Sequence, residues 1–492
     1  MFGFFQKETF HRLRNAYHFA TNNYEPPEER IKAAERGLYL ITQIRNWPSD
    51  YIVPRHRMNA AFYTVRGECT RMLPNPNPEE ANERAIQDLE RALKLLAGDT
   101  ENITGAMTHM YLANAYADSA SRPKDESIEK AIQYASLGRD FYHGKNGLEH
   151  DYAMACANLV TYYSERSIIE KHQNALLGLE DVEQALTIWN RQQNPVDWSR
   201  IKVLEGSLLL RVEDKNRSDL VEKSISSIVE GLEILTPSYN TEEWIEAHCS
   251  LALAYTERVA GSKAANMEHA VDSLRKSFAA VNEDTPLQRK ANVMEMLADM
   301  LSRRIKGSRS ENLREAVKFA TEASTIYQKI SLPHQFTIAS LRVARLQMDI
   351  NKIERIDGLE LILAVLNDVV HYAKEHGYQA LLREAYTLLG EYYMSGPPGN
   401  RNDNIEKAIE VFTQHEALCK DRDIHGYHIA RMNKATAYME RIIGGKHENV
   451  RTATELYQEA HDYFERAGYN DELADVKNFL ATALMENNAH EV

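Results

Sequence analysis

Two stretches of the chain, "LALAYTERVAGSKAANMEHAV" at 251–271 and "LADMLSRRIKGSRSENLREAV" at 297–317, share one layout of apolar, small and capping residues. Sliding that layout along the 492 residues at intervals of about 46 gives nine copies, with no large insertion between them. A fixed interval of this length is typical of a structural unit that the chain builds repeatedly.

Three series of positions carry the repeat, and most of their members are small residues. The first series is Ala85, Ala131, Gly178, Ser224, Ala270, Ala316, Ile362, Ala408 and Ala453. The second lies seven residues later, which is two helical turns, and comprises Ala92, Gly138, Ala185, Gly231, Ser277, Ala323, Val369, His415 and Ala460. The third lies eighteen residues before the first and comprises Gly67, Ala113, Val160, Gly206, Ala252, Ala298, Ala344, Gly390 and Ala435.

Small residues at fixed points on two successive helices allow those helices to approach closely. Each copy is therefore predicted to be a helical hairpin, with Tyr or Leu one turn after the third series filling the space beside the contact. Asn266, Asn312, Asn404 and Asn449 are predicted to cap the second helices. A two-helix hairpin cannot bury both its faces alone, so the sequence predicts an all-α fold, an α-solenoid of about nine stacked hairpins.

The ends of the chain fall outside this register. Residues 1–56 are predicted to form an N-terminal helical cap, with breaks at Pro26-Pro27 and Trp47-Pro48. Residues 57–470 form the repeat array, and 471–492 have the periodicity of one more helix, a C-terminal cap. The two caps would close the array.

The composition limits the partners. Lys and Arg number 58 against 72 Asp and Glu, a formal net charge of −14, which repels nucleic acids and anionic membranes. No apolar run is long enough to span a bilayer, and no signal peptide is recognisable. The four cysteines are far apart and form no CxxC pair, so a cytoplasmic protein with reduced thiols is expected.

"LANAY" at 112–116, "LALAY" at 251–255, "LGEYY" at 389–393 and "AIEVF" at 408–412 resemble the tetratricopeptide repeat, although the period here is about 12 residues longer than the 34 of that family. The longer period, and loops with "ER", a glycine and then Asn, resemble arrays that accompany bacterial CHAT (caspase-like) protease domains. The resemblance implies a concave surface, lined by the first helices, that binds partners. It also implies a partner that is a CHAT-type protease or its substrate, in a bacterial defence or signalling pathway.

Helix phase predicts which residues line that concave surface, because positions two before and two after the tyrosine slot lie opposite the small-residue face. Most of them are charged, which favours a polar or charged partner segment over an apolar one. Three arginines among them, Arg211, Arg303 and Arg345, are expected to form a basic island that holds carboxylates. The predicted binding residues are Asn114, Asp118, Glu165, Arg211, Glu257, Asp299, Arg303, Arg345, Asp349, Glu391 and Glu440.

Nothing in the sequence indicates an enzyme, a cofactor or a metal. His425-Gly426 near Cys419 is similar to the His-Gly of caspase-like proteases, but a glycine at a helix end explains it better. Two functions therefore stay open: a non-catalytic scaffold or adaptor that binds a partner protein or peptide, and a sensor whose curvature changes when a peptide or small ligand binds. A hydrolase that uses Cys419 or His425 is the least favoured alternative.

Overall fold

The computed structural model describes residues 2–22, 25–44, 53–167, 169–354, 359–397 and 399–491, and the side chains of 2–8, 359 and 488–491 are not among the described parts. The described residues form twenty-one helices and no strand. They divide into two compact units, Met1–Gly261 and Ser262–Val492. The predicted break at Trp47-Pro48 lies outside the described residues.

Unit 1 holds eleven helices, and each contacts the next along the chain. The bounds are α1 Phe2–Ala20, α2 Pro27–Gln43, α3 Arg55–Met72, α4 Pro78–Leu95, α5 Ile103–Ala117, α6 Lys124–Tyr142, α7 Glu149–Glu165, α8 Lys171–Leu186, α9 Pro195–Leu209, α10 Arg217–Leu232 and α11 Thr241–Glu257.

Unit 2 holds ten helices that likewise pack in chain order. The bounds are α12 Lys263–Ala280, α13 Leu287–Arg303, α14 Arg309–Lys329, α15 Pro333–Ile353, α16 Leu359–Glu375, α17 Gln379–Met394, α18 Arg401–Cys419, α19 Ile424–Glu440, α20 Lys446–Ala467 and α21 Asn470–Glu491. In the repeat register, the odd-numbered helices from α3 to α19 hold the first-helix positions of the nine predicted hairpins, numbered 1 to 9 below, and the even-numbered helices from α4 to α20 hold the second-helix positions. Hairpin 5 is divided between the two units, with α11 in unit 1 and α12 in unit 2.

The small-residue series lie where the two helices of a hairpin meet. In hairpin 4, the Ser224 hydroxyl donates to the Gly206 carbonyl at 2.7 Å, so members of two series touch directly. A Cβ placed on Gly390 in hairpin 8 would come within 2.2 Å of the Phe412 ring. Any larger residue at Gly390 would force the ring to move. The predicted all-α solenoid of helical hairpins is therefore confirmed, and with it the likeness to tetratricopeptide repeats.

The predicted asparagine caps were wrong. Asn312 and Asn449 are buried inside the first turns of α14 and α20, and the side chain that caps α14 is Ser308, which accepts a hydrogen bond from the Glu311 amide. The asparagine amides donate instead to carbonyls of the hairpin loop. Asn449 Nδ2 reaches the carbonyls of Arg441 and Ile443, both at 2.9 Å. The retained asparagine therefore ties the loop to the second helix.

The end helices pack against their neighbours along the chain, and their role as caps stays a prediction. Pro26 and Pro27 stand at the start of α2, and α1 and α2 share a core with α3 that includes Leu13, Ile41 and Phe62. At the other end, Val476 of α21 is buried against α19 and α20. None of the helices in the described part is long and apolar enough to cross a membrane.

Candidate partner-binding surface

Consecutive first helices are joined by polar side chains, and we call this row of contacts the interhelix ladder. In unit 1, Asn114 on α5 accepts hydrogen bonds from two residues of α7, Asn158 at 3.1 Å and Tyr162 at 2.6 Å. Asp118, just after α5, pairs with Arg71 of α3 at 2.6 Å. Two of the predicted binding residues therefore also hold neighbouring hairpins together.

Unit 2 has contacts of the same kind between its own first helices, and there they are charged. Asp299 on α13 accepts from Arg342 of α15 at 3.1 Å and also pairs with Arg303, four residues along its own helix. Arg345 on α15 pairs with Glu384 of α17 at 2.8 Å. Arg303 and Arg345, two members of the expected basic island, thus already have carboxylate partners.

A single lysine links two further predicted residues. Lys352 lies 3.2 Å from the carboxylate of Asp349 on α15 and 3.5 Å from that of Glu391 on α17. The Glu391 and Asp349 carboxylates therefore sit on adjacent first helices around one shared cation. Exposed ion pairs of this kind link neighbouring helices but add little stability.

The remaining predicted carboxylates lie at the loop ends of the hairpins rather than along the helices. Glu165, Glu257 and Glu440 are the last residues of α7, α11 and α19. Each pairs with the basic residue that opens the second helix of the preceding hairpin: Lys124 with Glu165, Arg217 with Glu257, and Arg401 with Glu440. The same three basic side chains also donate hydrogen bonds to backbone carbonyls at the C-terminal end of the first helix of their own hairpin. The helix dipole favours a cation at that end.

Helix phase did not reveal a second set of contacts, which we call the loop clamps. An arginine just after a first helix donates two hydrogen bonds to a glutamate in the first turns of the second helix of the preceding hairpin. For Arg304 and Glu268 these measure 2.8 and 2.7 Å. The arginine's hydrogen bonds hold the pKa of the Glu268 carboxyl below its ordinary value. The other loop clamps are Arg122 with Glu83, Arg166 with Glu129, Arg258 with Glu222, and Arg441 with Glu406.

The "ER" dipeptides in the sequence are the signal of these clamps, because the Glu and the Arg of each dipeptide pair with two different residues of the preceding hairpin. Glu440 pairs with Arg401, and the next residue, Arg441, clamps Glu406 and stacks over the Tyr438 ring at 5.5 Å. Bidentate arginine–carboxylate geometry combined with cation–π contact orients the loop firmly. Two neighbouring letters of the motif therefore bind two adjacent repeats to each other.

A cleft of about 830 Å³ opens between hairpins 3 and 4 in unit 1, at their loop ends. Arg211, the third arginine of the expected island, lines it and donates to the Ser164 carbonyl at 2.9 Å. Burial lowers the pKa of its guanidinium from the ordinary value, and Glu246 offsets part of that effect. Lys171 lines the same cleft and is exposed.

A smaller pocket of about 300 Å³ lies between α5 and α7, beside Asn114. Its walls include Met107, Tyr111 and Met154, so adaptable apolar side chains surround the Asn114 and Asn158 amides. Methionine side chains fill irregular shapes and suit surfaces that accept more than one ligand conformation. Sequence reasoning missed these three residues because it searched for charged positions at a single helix phase.

Cys419 and His425, the two residues of the hydrolase alternative, are packed against other parts of the structure. Cys419 is buried, and burial raises the pKa of its thiol to about 11, so at neutral pH it is not a thiolate nucleophile. His425 lies 3.6 Å from the Glu472 carboxylate on α21 and packs against the Tyr469 ring. No group of three or more His, Cys, Asp or Glu side chains in the described part of the chain is placed to hold a metal.

The comparisons with known proteins bear on the fold alone. No family and no curated protein matches the sequence. Among solved structures, the chain is similar to a signal transduction ATPase (STAND) protein with a tetratricopeptide repeat sensor from Pyrococcus horikoshii, at 11% identity over 94% of this chain and 74% of that one, with a TM-score of 0.49.

Two further solved structures are similar over much of the chain. A Rap protein complexed with Competence and Sporulation Factor gives 12% identity over 68% of this chain and 99% of that one, with a TM-score of 0.39. The Cut9–Hcn1 hetero-tetramer of the APC/C gives 15% identity, coverage of 97% and 92%, and a TM-score of 0.30.

Proposed function

We propose that this chain is a non-catalytic scaffold that binds a partner protein, or an extended segment of one, along the polar surface of its first helices. The observation that supports the proposal is the interhelix ladder, which sets polar groups side by side on consecutive first helices. A row of donors and acceptors at a repeated spacing suits an extended polar segment, which would contact several hairpins in turn.

The pocket beside Asn114 offers such a segment one anchoring point in unit 1. Met154 is 37% exposed there and lies beside the Asn158 amide, so an apolar side chain of the partner could enter while its backbone bonds to the asparagines. The long repeat period and the loop pattern support the narrower proposal that the partner is a CHAT-type protease or its substrate in a bacterial defence pathway.

The test is purification of the complex with variants on opposite helices. Met154→Glu places a charge in the first-helix pocket, whereas Leu137→Glu changes a similarly exposed apolar residue on the second helix α6 and is the matched control. We expect a stoichiometric protein that binds the unmodified chain and Leu137→Glu but not Met154→Glu, and that binds again when the two purified proteins are mixed.

The other outcomes decide against parts of the proposal. A partner lost only from Leu137→Glu would place binding on the second helices. Absence of any protein partner would refute the scaffold. A partner identified by mass spectrometry as neither a caspase-like protease nor a protein that such a protease cleaves would refute the narrower proposal.

The cleft between hairpins 3 and 4 favours a second candidate function, that of a sensor. Its volume of about 830 Å³ lies within the range of small-molecule and short-peptide sites. A ligand bound between two hairpins would bias their packing, which small-angle X-ray scattering detects as a change in the radius of gyration on saturation.

A further inference from the structure

The cleft between hairpins 3 and 4 lies where the pattern of interhairpin ion pairs is interrupted. By the repeat register, the loop-clamp arginine of hairpin 4 is replaced by Val212, and its glutamate partner in hairpin 3 is replaced by Leu176. On either side, the clamps Arg166–Glu129 and Arg258–Glu222 are both present. The interruption therefore belongs to this one junction of unit 1.

The second kind of pair is interrupted at the same place. The position that holds Glu165 in hairpin 3 and Glu257 in hairpin 5 holds Arg211 in hairpin 4. Lys171, at the start of α8, is the basic residue that would pair with this position. Because the position holds Arg211, a second cation replaces the carboxylate that Lys171 would otherwise bind. Within the described residues, neither Lys171 nor Arg211 has a carboxylate within ion-pair distance.

Two cations at the wall of a cleft, neither of them in an ion pair with a described residue, offer a site for an anion, although Glu246 offsets part of the charge of Arg211 at longer range. The Arg211 guanidinium is partly withdrawn from water, and of the five hydrogen bonds that its N–H groups could donate, one goes to the Ser164 carbonyl. The other arginine and lysine charges of the cleft are neutralised, since Arg166 binds Glu129 and Arg217 binds Glu257.

The surroundings indicate which anion fits. Ile169, Leu210 and Val212 give the cleft an apolar wall, while Glu213 and Asp214 place two carboxylates at its exposed rim. A third exposed carboxylate of the lining, Glu165, is paired with Lys124. Those carboxylates and the net charge of −14 repel a phosphate dianion more strongly than a carboxylate with a single charge. The apolar wall favours a ligand whose charge is attached to an apolar body.

We propose that this cleft binds a carboxylate carried on an apolar body, either an acidic peptide segment or a free organic acid, through Arg211 and Lys171. The inference deepens the sensor candidate, on which its biological meaning rests. Binding itself is independent of the scaffold proposal, whose surface is the ladder and the pocket beside Asn114.

The chain contains its own matched control. Lys263 and Arg303 occupy the same two positions at the junction of hairpins 5 and 6, but there Arg303 is paired with Asp299 and the loop clamp Arg304–Glu268 is intact. The test variant is Lys171→Gln with Arg211→Gln, and the control is Lys263→Gln with Arg303→Gln. A third variant, Arg211→Glu, re-creates the Lys124–Glu165 type of pair with Lys171, so it is expected to fold.

The assay is fluorescence polarisation of a leucine-rich hexapeptide that carries one glutamate, an amidated C-terminus and an uncharged fluorophore at its N-terminus, with its glutamine counterpart as the uncharged probe. We expect saturable binding of the acidic peptide to the full chain and to the control variant. We expect affinity at least about tenfold lower for the uncharged peptide, for the test variant and for Arg211→Glu, with circular dichroism showing native helix content in each.

Competition identifies the source and the chemistry of the anion. Displacement of the peptide by hexanoate, a single carboxylate on an apolar chain, supports a free organic acid, and resistance to hexanoate supports a peptide; either result agrees with a carboxylate site. The inference is overturned if the acidic peptide does not bind, if both peptides bind equally, if the control variant loses as much affinity as the test variant, or if inorganic phosphate displaces the peptide better than hexanoate. Binding without a change in radius of gyration would refute the sensor and leave the carboxylate site standing.

Discussion

Asn449→Asp distinguishes the two roles that an asparagine at the start of a second helix could have. If the side-chain oxygen capped the helix, aspartate would serve as well or better. In the structure the amide nitrogen donates to the Arg441 and Ile443 carbonyls, both at 2.9 Å, and the residue is 2% exposed. The substitution replaces two hydrogen bonds with contacts between a buried carboxylate and two carbonyl oxygens.

The expected cost follows from those contacts. Two lost bonds contribute about 1 kcal/mol each, and an unpaired buried charge adds about 1–3 kcal/mol, so the free energy of unfolding should fall by about 3–5 kcal/mol at pH 7. Burial among carbonyls raises the pKa of the new carboxyl in the folded state. The penalty is therefore full at pH 7 and decreases as the pH falls towards the unfolded value of about 4, because the protonated acid can again donate.

Urea unfolding followed by circular dichroism, together with hydrogen exchange of the 441–449 loop, measures this cost. The matched control is Asn478→Asp, an exposed position on α21 in the same unit, compared at every pH. A loop that exchanges no faster in Asn449→Asp than in the control, with equal urea midpoints, would show that the asparagine acts through its oxygen and that the loop tie is wrong.

Three further perturbations have definite expected outcomes. Gly390→Ala should lower the unfolding free energy by about 1–3 kcal/mol despite its better helix propensity, since its Cβ would overlap the Phe412 ring, and Phe412→Leu should recover part of the loss in urea titrations of the double variant. Arg304→Gln should cost about 1 kcal/mol at pH 7; because Arg304 depresses the pKa of Glu268, the difference from the unmodified chain should vanish as the pH falls below about 4.5. Burial raises the pKa of Cys156 to about 12, so iodoacetamide at pH 8 should leave it unmodified in the folded chain and label it in urea, as mass spectrometry will show.

The hairpin fold was predictable because close helix packing restricts residue choice locally. The helix backbones can approach closely at Gly206 and Ser224 only because both residues are small. A second small residue two helical turns along the same helix repeats that restriction. The same argument could not assign the asparagines. An Asn before a helix and an Asn within its first turn differ by a few residues, and helix ends are where sequence patterns are least exact.

The candidate surface was predictable only in part, because helix phase gives the direction of a side chain but not its partner. Phase placed Asn114 and Asp299 on first helices, and the structure shows both bonded to the next first helix rather than free. Their partners are more than forty residues away, at a distance that the period itself specifies once hairpins are known to stack in order. The predicted binding role of the eleven residues stays a prediction.

The cleft shows what a repeat reveals once the role of each position is known. Arg211 was visible from the start as a charged residue where most copies have an acid, and Val212 as an apolar residue where several have arginine. Neither substitution had meaning while the pairs were unknown. In most copies the first of these positions supplies a carboxylate for an ion pair, and in several the next supplies the arginine of a loop clamp. Hairpin 4 changes both positions and therefore lacks two contacts to hairpin 3. Ion pairs of either kind contribute little free energy, so the fold tolerates the loss of one clamp and one further ion pair, and the unpaired cations that remain are available to a ligand.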